Sequence, residues 1–248
     1  MSKCLIVTGG GRGIGAEVSR KAAKQGYSVC VNFHRDQTSA QKLVRELEEE
    51  GANALAYQAD VSQEEEVVAL FQTVEKHLGT PEALVNNAGI LDLQTRVDGM
   101  NAERIQRIFA VNVTGSFLCA REAVKRMSTK YGGKGGSIVN LSSGAAKYGS
   151  PGEYVDYAAS KAAIDTLTIG LAKEVAEEGI RVNAVRPGFI DTEIHQSGGE
   201  QDRMERVRPL VPMKRVGQAD EVADAIMWLL SDKASYTTGT ILDVSGGR

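Results

Sequence analysis

The chain has 248 residues, 42% of them hydrophobic and 25% charged, with a net charge of −3 at pH 7. That length suits one large α/β domain or two small ones and allows a core burying roughly three quarters of the unfolded surface. The acidic balance, without a basic run, argues against a general nucleic-acid binder. No apolar stretch approaches the ~20 residues of a membrane helix or forms a signal-peptide core.

The predicted elements alternate. Residues 4–8 (CLIVT) read as a strand, 16–26 as a helix closed by Gly26, and 28–33 (SVCVNF) as a second strand. A helix follows over 39–51, then a strand over 54–60. Ser62 followed by Glu65 has the spacing of a capping box opening the next helix. Residues 82–89 (EALVNNAG) give a fourth strand with its loop, and helical patterns cover about 101–130. Residues 136–143 (GSIVNLSS) form a fifth strand, 155–178 a helix, 180–188 a sixth strand stopped by Pro187, 219–231 a helix and 240–246 a last strand.

Strands apolar on both faces and separated by helices imply a parallel sheet covered on both sides. The expected fold is therefore α/β: one domain over 1–248, a doubly wound Rossmann-type sheet of about seven strands. Residues 189–216, with Gly198, Gly199 and several charges, are the least core-like region and read as a substrate lid or a surface loop.

Cys4, Cys30 and Cys119 are an odd set without close pairing, expected as buried, reduced thiols in a cytoplasmic protein. His34, His77 and His195 are isolated, and no metal site is expected.

The glycine-rich stretch VTGGGRGIGAEV joins the first strand to the first helix. Gly11, Gly13 and Ala16 fit G-x-G-x-x-A, which lets a pyrophosphate approach the backbone at a helix N-terminus. In NAD-binding proteins the second strand often ends in an acid that holds a ribose hydroxyl. Here that strand ends at Phe33, with Arg12 in the glycine loop and His34 and Arg35 just beyond. Cations there suit the extra phosphate of NADP, so NADP(H) is favoured and NAD(H) remains possible. Asp36 has the spacing of the NAD acid but lies beyond the strand end, and reads as a helix cap.

Tyr157 and Lys161 are four residues apart on a predicted helix, so they share a face. A free phenol titrates near pH ~10, too high for proton transfer near neutrality. A cation at ~4 Å contributes on the order of 4 kcal/mol at an effective dielectric of ~20, enough to make the phenol a usable acid and base. Tyr154 and Tyr148 lack a lysine at that spacing and read as pocket residues.

Taken together, TGGGRGIG (8–15), NNAG (86–89), Asn112 in FAVNVTG, the serines of IVNLSSG, YAASK (157–161) and RPGFIDTE (186–193) resemble the short-chain dehydrogenase/reductase family over essentially the whole chain. The resemblance implies that Tyr157 is the catalytic acid/base and that Lys161 tunes it and binds the nicotinamide ribose. Asn112 would hold a water beside the lysine. Ser142 and Ser143 compete for the substrate-oxygen contact, and the alignment favours Ser143. Gly9, Gly13, Ile14 and Gly15 would meet the phosphates. Asp60 and Val61 would meet the adenine, with a turn role for Asp60 as the alternative. Asn86, Ala88 and Gly89 would lie beside the adenine-side ribose. Pro187, Gly188, Ile190 and Thr192 would touch the nicotinamide.

The implied activity interconverts a ketone and a secondary alcohol, for instance as a 3-oxoacyl-thioester reductase. The alternatives are a glucose-type sugar dehydrogenase, a nucleotide-sugar epimerase or dehydratase, and a non-enzymatic dinucleotide-binding regulator. The implied partners are a small carbonyl or alcohol substrate and further copies of the chain, as a homotetramer or homodimer built on the helices around 101–130 and 155–178. Neither nucleic acid nor membrane is expected as a partner.

Overall fold

The first strand, Cys4–Val7 (β1), is wholly apolar and wholly buried, which only a strand covered on both faces can be. In the computed structural model, which describes residues 3–192 and 203–248, it lies in the interior of a parallel sheet. The other strands are Ser28–Phe33 (β2), Ala54–Gln58 (β3), Pro81–Asn86 (β4), Gly136–Leu141 (β5) and Ile180–Pro187 (β6). Ile190–Asp191 (β7) and Gly217–Gln218 (β8) pair with each other outside this sheet, and Ile241–Val244 (β9) closes it. The seven strands run in the order β3-β2-β1-β4-β5-β6-β9, every pairing parallel.

The two-residue period of a strand sorts these side chains into two cores. Leu5, Val7, Val29, Val31, Val85, Val139 and Val185 face one side. There they pack on Gly13–Lys24 (α1), Gln37–Glu49 (α2) and, near the end of the chain, Ala219–Leu230, through Val18, Leu43, Leu47, Ile226 and Leu230. Cys4, Ile6, Cys30, Leu84, Ile138 and Val182 face the other. They meet Glu64–Leu78 (α3) through Leu70, Phe71 and Val74. Burying each such aliphatic or aromatic side chain contributes roughly 1.5–3 kcal/mol, so both faces stabilise the sheet.

Ala102–Phe109 (α4) passes through a wide π-helical turn, Ala110–Thr114, into Gly115–Met127 (α5). A short helix, Ala145–Tyr148 (α6), precedes the long Val155–Val175 (α7). Arg203–Val207 is α8 and Ala219–Leu230 is α9. Arg104 on α4 and Asp156 at the start of α7 form a buried ion pair, with Nε 2.7 Å from Oδ2.

The predicted elements appear with boundaries moved by a few residues, and α6, α8 and the β7–β8 pair are additions. One cap is corrected. Helix α3 starts after Gln63, not Ser62, because Ser62 Oγ donates to Asp60 Oδ1 at 2.7 Å while the Asp60 N–H donates to Glu66 Oε2. Asp36 does cap α2, its Oδ1 accepting the Ser39 N–H at 3.0 Å. The Ser39 backbone and hydroxyl hold its carboxyl below the usual carboxylate range. Cys4, Cys30 and Cys119 are buried and unbridged, and burial pushes all three thiols upward, Cys4 and Cys119 to about 12. No described helix is long and apolar enough to cross a membrane. Part of the expected lid, residues 193–202 with His195, lies outside the described residues.

Candidate active site

β1 pairs with β2 on one side and β4 on the other, so the chain leaves the sheet in opposite directions at their carboxyl ends and opens a crevice there. Its floor is stitched by side chains. Thr8 Oγ1 accepts the N–H groups of Asn87 and Ala88, both at 3.0 Å, and Asn87 Nδ2 donates to Thr8 O and Gly9 O, both at 2.9 Å. These bonds fasten the glycine loop to the end of β4. Gly9 takes the left-handed φ of +60° that side-chain-bearing residues avoid. A Cβ on Gly15 would stand 2.6 Å from both Asn87 Nδ2 and Gly9 O, so a side chain there would force the first turn of α1 off the loop.

The first turn of α1 carries no acidic residue, and its N-cap Arg12 makes no side-chain capping bond. Its leading N–H groups and dipole are therefore suited to an anion. A cleft of about 740 Å³ runs from this turn past Phe33, His34, Arg35 and Asp36 to Asp60 and Val61. Gly9, Gly13, Ile14, Ala88, Gly89 and Thr192 also line it. Arg12, His34 and Arg35 are all exposed along its edge. His34 Nδ1 lies 3.6 Å from Asp60 Oδ2. Asp60 serves both readings made of it, since it faces the cleft and also accepts the Ser62 N–H and hydroxyl.

A second cavity, about 350 Å³, opens beside this cleft and shares Ile14, Asn87, Gly89, Leu91 and Thr192 with it. Ser142, Ser143, Tyr148, Tyr154, Tyr157, Lys161, Pro187, Gly188 and Ile190 line it. Helix α7 presents Tyr157 and Lys161 on one face, with Nζ 5.7 Å from the ring centroid of Tyr157. Lys161 is only 4% exposed, and Nζ donates to Leu141 O at 2.7 Å. Burial pushes this ammonium down to about 8, while Asp165, one helical turn further on, acts in the opposite direction. Asp165 is itself held by Arg186, whose Nη2 stands 2.7 Å from Oδ2.

The two serines differ. Ser142 is buried and its hydroxyl is spent on Lys161 O at 3.1 Å. Ser143 is partly exposed to the cavity, and its Oγ accepts the Ala145 N–H at 3.1 Å, leaving its proton to donate.

Asn112 sits in the π turn, fully buried. Its Oδ1 accepts the Ile90 N–H at 2.8 Å, and its Nδ2 donates to Ile90 O and to Ser160 Oγ, which in turn donates to Tyr157 O. A Cβ on Gly89 would lie 3.4 Å from Lys161 Nζ and 3.5 Å from Asn112 Oδ1. The missing side chain therefore keeps the space between lysine and asparagine open.

Two expected cofactor contacts fall elsewhere. Asn86 points into the protein, its Nδ2 bonded to Asn140 Oδ1 and Ser116 O, and lines neither cavity. It is the last residue of a strand whose alternation turns its side chain inward; its neighbour Asn87 takes the place beside the cleft. Gly15 also lines neither cavity and instead permits the close approach of α1. The sequence reading assigned no role to Asn87, Asp165 or Arg248, whereas Phe189 and Arg206, which also line the cavity, fall within the expected lid. Asn87 stands within the NNAG stretch, and Asp165 left a signal as a lone acid four residues past Lys161 within the run AAIDTL. Among the described residues no cluster of acids, histidines and cysteines could hold a metal ion.

A long cleft at the switch point of a parallel sheet, opening onto a small cavity with a tyrosine–lysine face, defines a dinucleotide-dependent oxidoreductase. The sequence model of the family described as enoyl-(acyl carrier protein) reductase matches residues 9–248. The chain is 57% identical over 243 residues to the uncharacterized oxidoreductase YgfF of Escherichia coli, covering 98% of each. It is 38% identical to glucose 1-dehydrogenase 2 of Bacillus subtilis over 99% of this chain and 94% of that one. It is 36% identical to the 3-oxoacyl-[acyl-carrier-protein] reductase FabG of Staphylococcus aureus over 100% of this chain and 98% of that one. The chain belongs to the short-chain dehydrogenase/reductase family, an enzyme family that uses a nicotinamide dinucleotide.

Proposed function

We propose that this enzyme interconverts a ketone and a secondary alcohol, using NADP(H) in preference to NAD(H). The observation that carries the reading is the buried Lys161 beside Tyr157 at the junction of cleft and cavity. A nicotinamide dinucleotide supplies the hydride. Ser143 Oγ hydrogen-bonds the substrate oxygen. Tyr157 gives that oxygen its proton in reduction and takes one back in oxidation. Lys161 stabilises the phenolate form and holds the ribose, and Asn112 with Gly89 leaves room for a water that returns protons to Lys161. Such acid–base and electrostatic help is worth several orders of magnitude in rate. Pro187, Gly188, Ile190 and Thr192 form the wall for the nicotinamide, and Val61 with Asp60 the seat of the adenine.

The fit of the dinucleotide rests on the cleft, the left-handed Gly9 and the anion-suited start of α1. The NADP preference rests on Phe33 ending β2, on Arg12, His34 and Arg35 at the cleft edge, and on Asp36 being engaged in capping. We expect loss of NADPH absorbance at 340 nm with a panel of ketones, and kcat/KM at least about tenfold lower with NADH. Equal or better efficiency with NADH would overturn the preference, and no turnover of any ketone or alcohol would overturn the reaction.

The segment 189–216 is proposed to shape substrate choice, as Phe189, Arg206, Val207 and Leu210 line the cavity. The buried reduced thiols support residence in a reducing cytoplasm. Exposed Ile105, Phe117 and Ile169 on α4, α5 and α7 support a homotetramer or homodimer, which light scattering of the purified protein would detect; a monomeric mass would exclude it.

A further inference from the structure

Arg248 enters the wall of the substrate cavity together with Tyr148 and Phe189. Its guanidinium carbon stands 4.6 Å from the ring centroid of Phe189 and 5.1 Å from that of Tyr148. Two aromatic faces fix a planar cation in place without neutralising it. Its Nη1 is buried and has no hydrogen-bond partner among the described residues. A guanidinium remains charged at any working pH, so this donor cannot escape its cost by losing a proton. A buried donor without an acceptor carries an uncompensated desolvation cost, which a ligand's oxygen would relieve.

Among the described residues, the nearby acids are already engaged. Glu153, in the same cavity wall, accepts Arg206 Nη2 at 2.9 Å. On the other side of Arg248, Asp243 accepts Lys147 at 3.0 Å and lies 3.7 Å from Arg186, and Glu221 accepts Arg215 at 2.6 Å. Among the described residues the cavity therefore holds, apart from Lys161 beside Tyr157, a second fixed cation with an unused donor, and it also contains Ser143 and Tyr157.

We propose that Arg248 is a specificity residue that receives a carboxylate, so that the preferred substrates are small oxo acids whose ketone reaches Ser143 and Tyr157 while the acid group meets Nη1. The inference rests on the ketone–alcohol reading above and narrows it to one substrate class. A cavity of about 350 Å³ suits a compact molecule of that kind. Arginine's fork matches two carboxylate oxygens, and the aromatic clamp prepays its orientation.

The test compares 3-oxobutanoate, 4-oxopentanoate and 5-oxohexanoate with their methyl esters, each with NADPH. For at least one chain length the acid should exceed its ester in kcat/KM by about tenfold or more. Arg248→Met should erase that preference while leaving ester turnover within about threefold, and Arg248→Lys should retain part of it. Esters turned over as well as acids at every length would overturn the carboxylate assignment and leave ketone reduction intact. An equal loss for acid and ester in Arg248→Met would also overturn it. Absence of turnover with acids, esters and all other carbonyls would instead remove the reaction on which the inference stands, and the inference with it.

Discussion

Tyr157→Phe is expected to lower kcat/KM by about a thousandfold while NADPH still binds and thermal unfolding barely moves. The substitution deletes one oxygen from a half-buried ring, so packing around Val155–Val175 is retained. What disappears is the group that exchanges a proton with the substrate oxygen; positioned acid–base groups contribute typically ~10²–10⁴-fold. Ser143, the buried lysine and the dinucleotide cleft remain, so binding of the nucleotide, followed by quenching of protein fluorescence or by calorimetry, should survive. Near-normal turnover in this variant would take Tyr157 out of the chemistry and with it the proposed reaction.

Lys161→Met should separate stability from activity through pH. The lysine titrates near 10.5 when unfolded and is pushed down to about 8 by burial in the folded, unliganded protein. Between those values the unfolded chain holds more protons than the folded one, so wild-type stability rises with pH across that window. Below the folded value both states are charged and the full burial penalty applies. Methionine of similar length has no such proton, so its curve lacks the rise. Relative to Lys161→Met, the wild type should therefore gain up to about 3 kcal/mol on going from pH 7 to 10.5, measured by denaturant unfolding without nucleotide. At neutral pH kcat/KM of the variant should sit roughly two orders of magnitude below wild type. A stability difference that ignores pH would show that the ammonium is not buried as described. Asp165 works against the shift, and its carboxylate is also held by Arg186.

Much of this arrangement was legible because local rules and global packing agree. The strands of the main sheet were readable since apolar residues on both faces leave a continuous hydrophobic run. Tyr157 and Lys161 were readable since helical spacing alone puts them on one face. What the sequence concealed depends on register or on contacts between distant segments. Asn86 and Asn87 are chemically identical neighbours, and only the end of β4 decides which faces the crevice. Ser62 looked like a cap because its type fits, but Asp60 captures its hydroxyl first. Arg248 carried no motif at all; its place in the wall comes from β9 docking on β6 and bringing the following residues against Tyr148 and Phe189. Helix α6 and the two-residue strands β7 and β8 are too short for any periodicity to register.

The wide turn at Ala110–Thr114 sets a rule for how this chain can change length. One end of the rod that contains it is locked by Arg104 gripping Asp156; the other is locked by Cys119, Ala123 and Met127 sunk beneath the sheet. A uniform α-helix advances ~100° per residue, so losing a single residue between the two anchors would rotate one against the other by that amount. The bulged turn absorbs the phase difference and holds Asn112 inward between them. Substitutions along the rod can be accommodated one by one, whereas an insertion or deletion there would force the molecule to give up either the clasp or the core.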